Sequence, residues 1–271
     1  MTLGPVCTTM AERFAKGGAV RYRLIVSDVD GCLAPEESAA WNLERFAALA
    51  ARVRGAGSGE GLPFTLCTGR PQPYVEVLMK LLDVRVPAIC ENGAVIYSLH
   101  DNRSVYGPGV TELKLEELRE IRRFITSDLL RRHPQAVHQF GKEAQISVFC
   151  GDPSRIPLLA DEVRAFAERF SDDPVDIGAS HYYLNISLRG VTKGSAMQAL
   201  MAQLGVVREQ VAAVGDTAGD LPLREQAGFF GCPSNATPET AARADYVSPY
   251  PDAAGLMDIL DQITASQEAL R

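Results

Sequence analysis

The chain is predicted to adopt an α/β fold: a parallel sheet with helices on both faces. Two observations predict it. Four short runs are apolar almost without interruption, and helix-like segments separate them. A strand covered on both faces reads as a continuous apolar run, whereas a half-exposed strand alternates. The runs are residues 22–27, 63–67, 87–90 and 211–214, and each stops at a small or acidic residue. Helical spacing is carried by 37–54, where Leu43, Phe46, Ala47 and Ala50 form one stripe, and by 72–82 and 193–204. Strand and helix in alternation favour parallel pairing, and ligands of such sheets gather at the carboxyl ends of the strands. Residues 55–61, GAGSGEG, are expected to form a flexible loop.

The middle of the chain follows another pattern. A long amphipathic helix at 111–132, a strand at 145–150, a helix at 154–170 and a strand at 182–188 predict an inserted α+β unit. The expected organisation is a leader of residues 1–20, a core domain of 21–98 and 189–271, and an inserted domain of 99–188. Polar connectors at 99–109 and 189–192 mark the junctions.

Bulk properties narrow the function classes. With 271 residues and 46% apolar content the chain can bury a sizeable core. Its 27 basic and 34 acidic residues give a net charge of −7, and only the pairs Arg122-Arg123 and Arg131-Arg132 concentrate positive charge, which argues against a nucleic-acid partner. No stretch approaches the roughly 20 apolar residues that span a bilayer, and the first residues lack the pattern of a signal peptide. A cytoplasmic protein, monomer or homodimer, with no membrane partner is expected. The six cysteines contain no Cys-x-x-Cys pair, so reduced thiols are expected.

Four strand-end motifs carry candidate chemistry. Asp28-Val29-Asp30-Gly31 follows the first run. Two carboxylates two residues apart can face one small volume, where a divalent cation would offset their repulsion; one can then attack phosphorus while the other handles a proton. The alternative is an ordinary Asp-Gly turn. Thr68-Gly69-Arg70 offers a hydroxyl and backbone N–H groups to phosphate oxygens, or else Thr68 merely caps a helix. Lys193 can neutralise a phosphate, or sit in solvent as most lysines do. Asp216 and Asp220, in GDTAGD, suit a hard cation, or cap a helix and sit in solvent, respectively.

In this order, DVDGCL, LCTGR, Lys193 and GDTAGD resemble the four signature motifs of the haloacid dehalogenase (HAD) superfamily. ENGAVIY at 91–97 and the stretch GCPSNATPETAARADYVSPY resemble its Cof-type, or IIB, subgroup, which includes archaeal phosphoglycolate phosphatases and, more loosely, sucrose-phosphate phosphatases. The resemblance implies a Rossmann-like HAD core with an inserted α+β cap of the C2 type, and a magnesium-dependent phosphatase. Asp28 would be the nucleophile and Asp30 the acid and base, while Thr68, Gly69 and Lys193 would hold the phosphoryl group. Magnesium would be bound by the Asp28 side chain, the Asp30 carbonyl and Asp216, with Asp220 in support. Gly219 stands where the subgroup commonly has Asn, which puts a supporting hydrogen bond in doubt.

Arg70, Asn92 and Asn235 are further candidates near the crevice. Lys142, Glu143, His181, Tyr182 and Asn185 are candidates in the cap for choosing a small phosphorylated substrate, with phosphoglycolate or a sugar phosphate leading. A phosphosugar mutase, a phosphate-accepting non-catalytic module and a degenerate binding protein are the rival functions. Cys32, Cys67 and Cys90 each adjoin a strand-end motif, so their thiols are either oxidant-sensitive groups around one pocket or small buried fillers.

Overall fold

The structure is a computed structural model that describes residues 22–35, 39–57, 63–170, 174–179 and 182–268. The expected leader, residues 58–61 of the expected loop, and His181 lie outside the described residues. In chain order the elements are β1 (Leu24–Ser27), α1 (Leu43–Gly57), β2 (Phe64–Leu66), α2 (Gln72–Leu82), β3 (Ala88–Cys90), β4 (Val95–Ser98) and β5 (Arg103–Tyr106). Then come α3 (Glu112–Phe124), β6 (Ala136–Gln139), β7 (Gln145–Cys150), α4 (Ile156–Ala167), β8 (Val175–Ala179) and β9 (Tyr183–Leu188). The chain closes with α5 (Lys193–Leu204), β10 (Val211–Val214), α6 (Leu221–Gln226), β11 (Phe229–Cys232), β12 (Tyr246–Val247) and α7 (Asp252–Glu268).

By compactness the chain divides into two units, one running up to Val105 and resuming at Thr192, the other Tyr106–Val191. In the first, a five-stranded sheet has the order β12-β11-β10-β1-β2, and every pairing in it is parallel. The bridge between Cys67 and Ile89 continues it towards β3, which pairs antiparallel with β4. Parallel strands leave two faces to cover. Leu49, Val53, Val75, Met79, Leu256 and Ile259 pack in the core on one side, and Ala196, Met197, Leu200 and Leu223 pack on the other. This is the doubly covered α/β architecture expected from the apolar runs.

Several expected helices and connectors are corrected. Among the described residues the first helix starts at Leu43, where the Asn42 side chain accepts the Arg45 N–H at 2.9 Å and so caps it; residues 37 and 38 of the expected helix lie outside the described residues, and 39–42 are not helical. Its buried stripe holds Leu49 and Val53, while Leu43 is 73% exposed and Ala47 is also exposed. Residues 55–57 of the expected loop finish this helix. The long helix after Thr111 changes to a π-helical turn at Ile125–Leu129, where the Thr126 hydroxyl bonds back to the Arg122 carbonyl at 2.9 Å. Residues 99–109, expected as a connector, contain β5.

The second unit is a four-stranded antiparallel sheet of order β6-β7-β9-β8. α4 packs on β8, β9 and α3. Ile146, Val148, Leu184 and Ile186 are buried. Register puts Gln145 opposite Ser187 and Ser147 opposite Asn185, so the other face of these strands is polar.

α5 begins at a reciprocal cap: the Thr192 hydroxyl accepts the Ser195 N–H at 3.1 Å and the Ser195 hydroxyl accepts the Thr192 N–H at 3.0 Å. Thr192→Ala should destabilise the protein by about 1 kcal/mol in urea unfolding, and Thr192→Ser should be nearly neutral. Equal loss in both variants would show that the hydroxyl is not the source.

Candidate active site

The motifs at 28–31, 68–70 and 215–220 follow the ends of β1, β2 and β10, whereas Lys193 opens helix α5 rather than ending a strand. β1 delivers Asp28, whose N–H donates to the Val214 carbonyl of neighbouring β10 at 2.9 Å. The backbone then turns at Gly31, which has φ 73°, a conformation that favours glycine. A Cβ there would lie 2.1 Å from Asp216 Oδ2, so glycine is required for space as well as for conformation.

Asp28, Asp216 and Asp220 are all buried, and each offers an oxygen within 4.8 Å of the others. Lys193 Nζ lies 3.0 Å from Asp28 Oδ2 and 2.6 Å from Asp220 Oδ1. At 5% exposure this lysine is not a solvated side chain. Burial alone would lower its pKa, but Asp220 and Asp28 together hold the ammonium well above the usual lysine range. Burial, then repulsion from Asp220, pushes the Asp28 carboxyl up to about 7, against the pull of Lys193. With all three carboxylates ionised, one ammonium leaves two negative charges in a buried site, an arrangement that a divalent cation would balance.

The three acidic groups are not equivalent. Asp28 Oδ1 accepts the Val29 N–H at 2.7 Å, which fixes its plane. Asp220 is already bonded through both oxygens: Oδ1 to Lys193, and Oδ2 to the N–H groups of Asp216 and Thr217 at 3.1 Å and to the Thr217 hydroxyl at 3.2 Å. It therefore orients Lys193 and the Asp216 backbone. The cap of the turn Ala218–Asp220 is Thr217, not Asp216. Gly219 faces little, its missing Cβ meeting only Thr217 Oγ1 at 3.5 Å. Thr217, which the sequence reading did not single out, supplies three-residue-spaced support to Asp220; a Thr followed at that spacing by Asp is a capping signature that would have found it.

Asp30 points elsewhere. Arg70 grips both its oxygens, Nε to Oδ2 at 2.8 Å and Nη2 to Oδ1 at 2.6 Å, and stacks 5.1 Å from the centre of the Tyr74 ring. Thr68 is buried; its hydroxyl accepts the Arg70 N–H at 3.2 Å, and α2 starts only after Pro71, so Thr68 is not that helix's cap. Asn235 bridges main-chain groups, donating to the Gly31 carbonyl at 2.8 Å and accepting the Asp252 N–H at 2.9 Å. Asn92 lies beside Gly69.

In the second unit Lys142 Nζ donates to Ser147 Oγ at 2.7 Å and to Gln145 Oε1 at 3.0 Å. Ser147 Oγ in turn donates to Asn185 Oδ1 at 2.5 Å. Glu143 accepts the Tyr106 hydroxyl at 3.1 Å.

The thiols of Cys32, Cys67 and Cys90 are fully buried, and burial pushes each of them up in pKa. Carboxylates add to this at Cys32, chiefly Asp216, whose Oδ1 is 3.9 Å from the sulfur. Protonated and out of reach, these are fillers rather than oxidant-sensitive groups.

Comparison with known proteins places the chain in a family. Residues 25–128 and 153–260 match the family model described as haloacid dehalogenase-like hydrolase. A phosphoglycolate phosphatase of Archaeoglobus fulgidus is 26% identical over 238 residues, covering 88% of this chain and 95% of that protein. Another, from Methanothermobacter thermautotrophicus, is 27% identical over 228 residues, covering 83% and 91%. Among solved structures, one from Thermoplasma acidophilum superposes with a TM-score of 0.69 at 22% identity over 90% of this chain and 98% of its own. A haloacid dehalogenase-like hydrolase from Bacteroides thetaiotaomicron gives 0.67 at 19% identity over 89% and 99%. Two blocks of matched sequence, together spanning most of the chain and containing every motif of the site, make this protein a member of the haloacid dehalogenase-like hydrolases.

Proposed function

We propose that this hydrolase is a magnesium-dependent phosphatase of small phosphomonoesters that works through a phosphorylated Asp28. The observation that carries the reading is a buried carboxylate, Asp28, held 3.0 Å from a buried ammonium inside a cluster of three carboxylates. Asp28 and Asp216 would hold the cation, with the Asp30 carbonyl as a further ligand and Asp220 fixing their surroundings. Bound magnesium supplies charge neutralisation to the phosphoryl group and the attacking carboxylate.

In the first half-reaction an Asp28 oxygen forms a bond to phosphorus and the ester P–O bond breaks. Asp30 gives its proton to the departing alcohol. Thr68 Oγ and the Gly69 N–H hold the phosphoryl oxygens, and Lys193 offsets their charge. In the second half-reaction water attacks phosphorus, its proton passes to Asp30, and the bond to Asp28 breaks. Proton transfer at Asp30 requires one oxygen to leave the Arg70 fork. Hydrolysis is preferred over a mutase reaction because the relatives bear phosphatase names. Those names, phosphoglycolate phosphatase, also favour phosphoglycolate or a sugar phosphate of similar size, and we assign the choice of substrate to the inserted unit with its polar face of Lys142, Ser147 and Asn185.

Three outcomes are expected. Asp28→Asn should lower magnesium-dependent turnover of a generic phosphomonoester by about three orders of magnitude or more, and Asp30→Asn by about 10²–10⁴, both with the native circular dichroism spectrum. Normal turnover of either variant would remove that residue from its role. Gly31→Ala should weaken magnesium binding by about tenfold or more, because the new methyl displaces Asp216; unchanged affinity by calorimetry would exclude Asp216 as a ligand.

Asp28 gives the third. With its carboxyl raised to about 7, the cation-free protein carries a proton there below that pH, and a cation favours the charged form. Magnesium binding at pH 6 should therefore release most of a proton and at pH 8.5 almost none. Calorimetry in two buffers of different ionisation enthalpy measures this, and equal release at both pH values would contradict it.

A further inference from the structure

Asn92 is held against the Thr68–Arg70 loop in a conformation that side chains resist. Glu91 has φ 50° and Asn92 φ 55°, two successive non-glycine residues in the left-handed region, followed by Gly93 at φ 107°. Such backbone persists only where its surroundings over-determine it. Here three main-chain hydrogen bonds do so: Thr68 N–H to the Ile89 carbonyl at 2.9 Å, Asn92 N–H to the Thr68 carbonyl at 3.0 Å and Glu91 N–H to the Arg70 carbonyl at 3.1 Å. Gly93 closes the turn where a Cβ would lie 2.2 Å from the Thr192 carbonyl, immediately before Lys193.

The product of this conformation is the position of one amide. A Cβ built on Gly69 would meet both Nδ2 and Oδ1 of Asn92 at 3.1 Å, so the side-chain amide lies directly beside the glycine. It is half-buried and hydrogen-bonds to no group among the described residues. The tolerance of asparagine for the left-handed region accounts for its presence at 92. It does not account for Glu91 adopting the same region, nor for an amide with two donors being set, without a partner, beside the N–H that would take a phosphoryl oxygen.

We infer that the Asn92 side-chain amide is a further substrate-binding group, donating a hydrogen bond to an oxygen of the phosphomonoester or of inorganic phosphate held at Thr68 and Gly69. The inference rests on the phosphatase reading. It adds a contact made by the turn 91–93 rather than by the four strand-end motifs.

Asn92→Gly separates the amide from the conformation, because glycine adopts positive φ freely and lacks the donor. Binding of inorganic phosphate in the presence of magnesium, by calorimetry, and turnover of a generic phosphomonoester are the readouts. Asn92→Gly should be at least as heat-stable as the parent, yet bind phosphate about tenfold more weakly and show a matching rise in KM. Asn92→Asp, which keeps the shape but places a carboxylate near the anion, should lose more. Parental phosphate affinity and KM in Asn92→Gly would overturn the inference, and if that variant does not fold, parental phosphate affinity in Asn92→Asp would do so. A parent protein that binds phosphate but turns over no phosphomonoester would refute the phosphatase reading while leaving the comparison of phosphate affinities to decide the role of Asn92.

Discussion

The contact between the Lys193 ammonium and the carboxylates of Asp28 and Asp220 is what allows the rest of the site to exist. Buried carboxylates are costly one at a time and repel one another when gathered. One cation at 2.6–3.0 Å from two of them lowers that cost without removing it, and the remaining negative charge is what gives the site its appetite for a divalent ion. In the proposed reaction, phosphorus would arrive beside the Asp28 oxygen and the ammonium together.

Much of the surrounding structure serves to hold that contact. The parallel pairing of β1 with β10 sets Asp28 and the 215–220 loop side by side, and the reciprocal Thr192 and Ser195 cap starts the helix that presents Lys193. Gly31 and Gly215 are needed for room: a Cβ at either would lie within 2.1 or 2.3 Å of an atom of Asp216 or Asp220. Asp220, bonded through both oxygens, converts backbone geometry into side-chain orientation for its neighbours.

The sequence made β1, β2, β3 and β10 legible because strands covered on both faces need unbroken apolar runs, and the motifs at 28, 68 and 216 are legible because each follows such a run, whereas Lys193 opens a helix. β5, with the sequence RSVY and largely exposed, has no apolar signal, since only pairing with β4 defines it. β8 is an edge strand with one buried residue, Val175, and lacks an apolar signal for the same reason. The terminal helix α7, absent from the sequence expectations, does carry Ala253, Leu256, Leu260 and Ile263 at helical spacing. Within the site, the Arg70 fork on Asp30 depends on side chains meeting across loops forty residues apart, which residue order does not record.

The account stands or falls on covalent chemistry at one atom. Brief turnover of a phosphomonoester with magnesium, acid quenching and borohydride reduction would convert a phosphorylated aspartate to homoserine, which peptide mass spectrometry locates. Homoserine at position 28, dependent on both substrate and magnesium, is the predicted result. Active turnover with aspartate intact at 28, or with homoserine at another position, would contradict it.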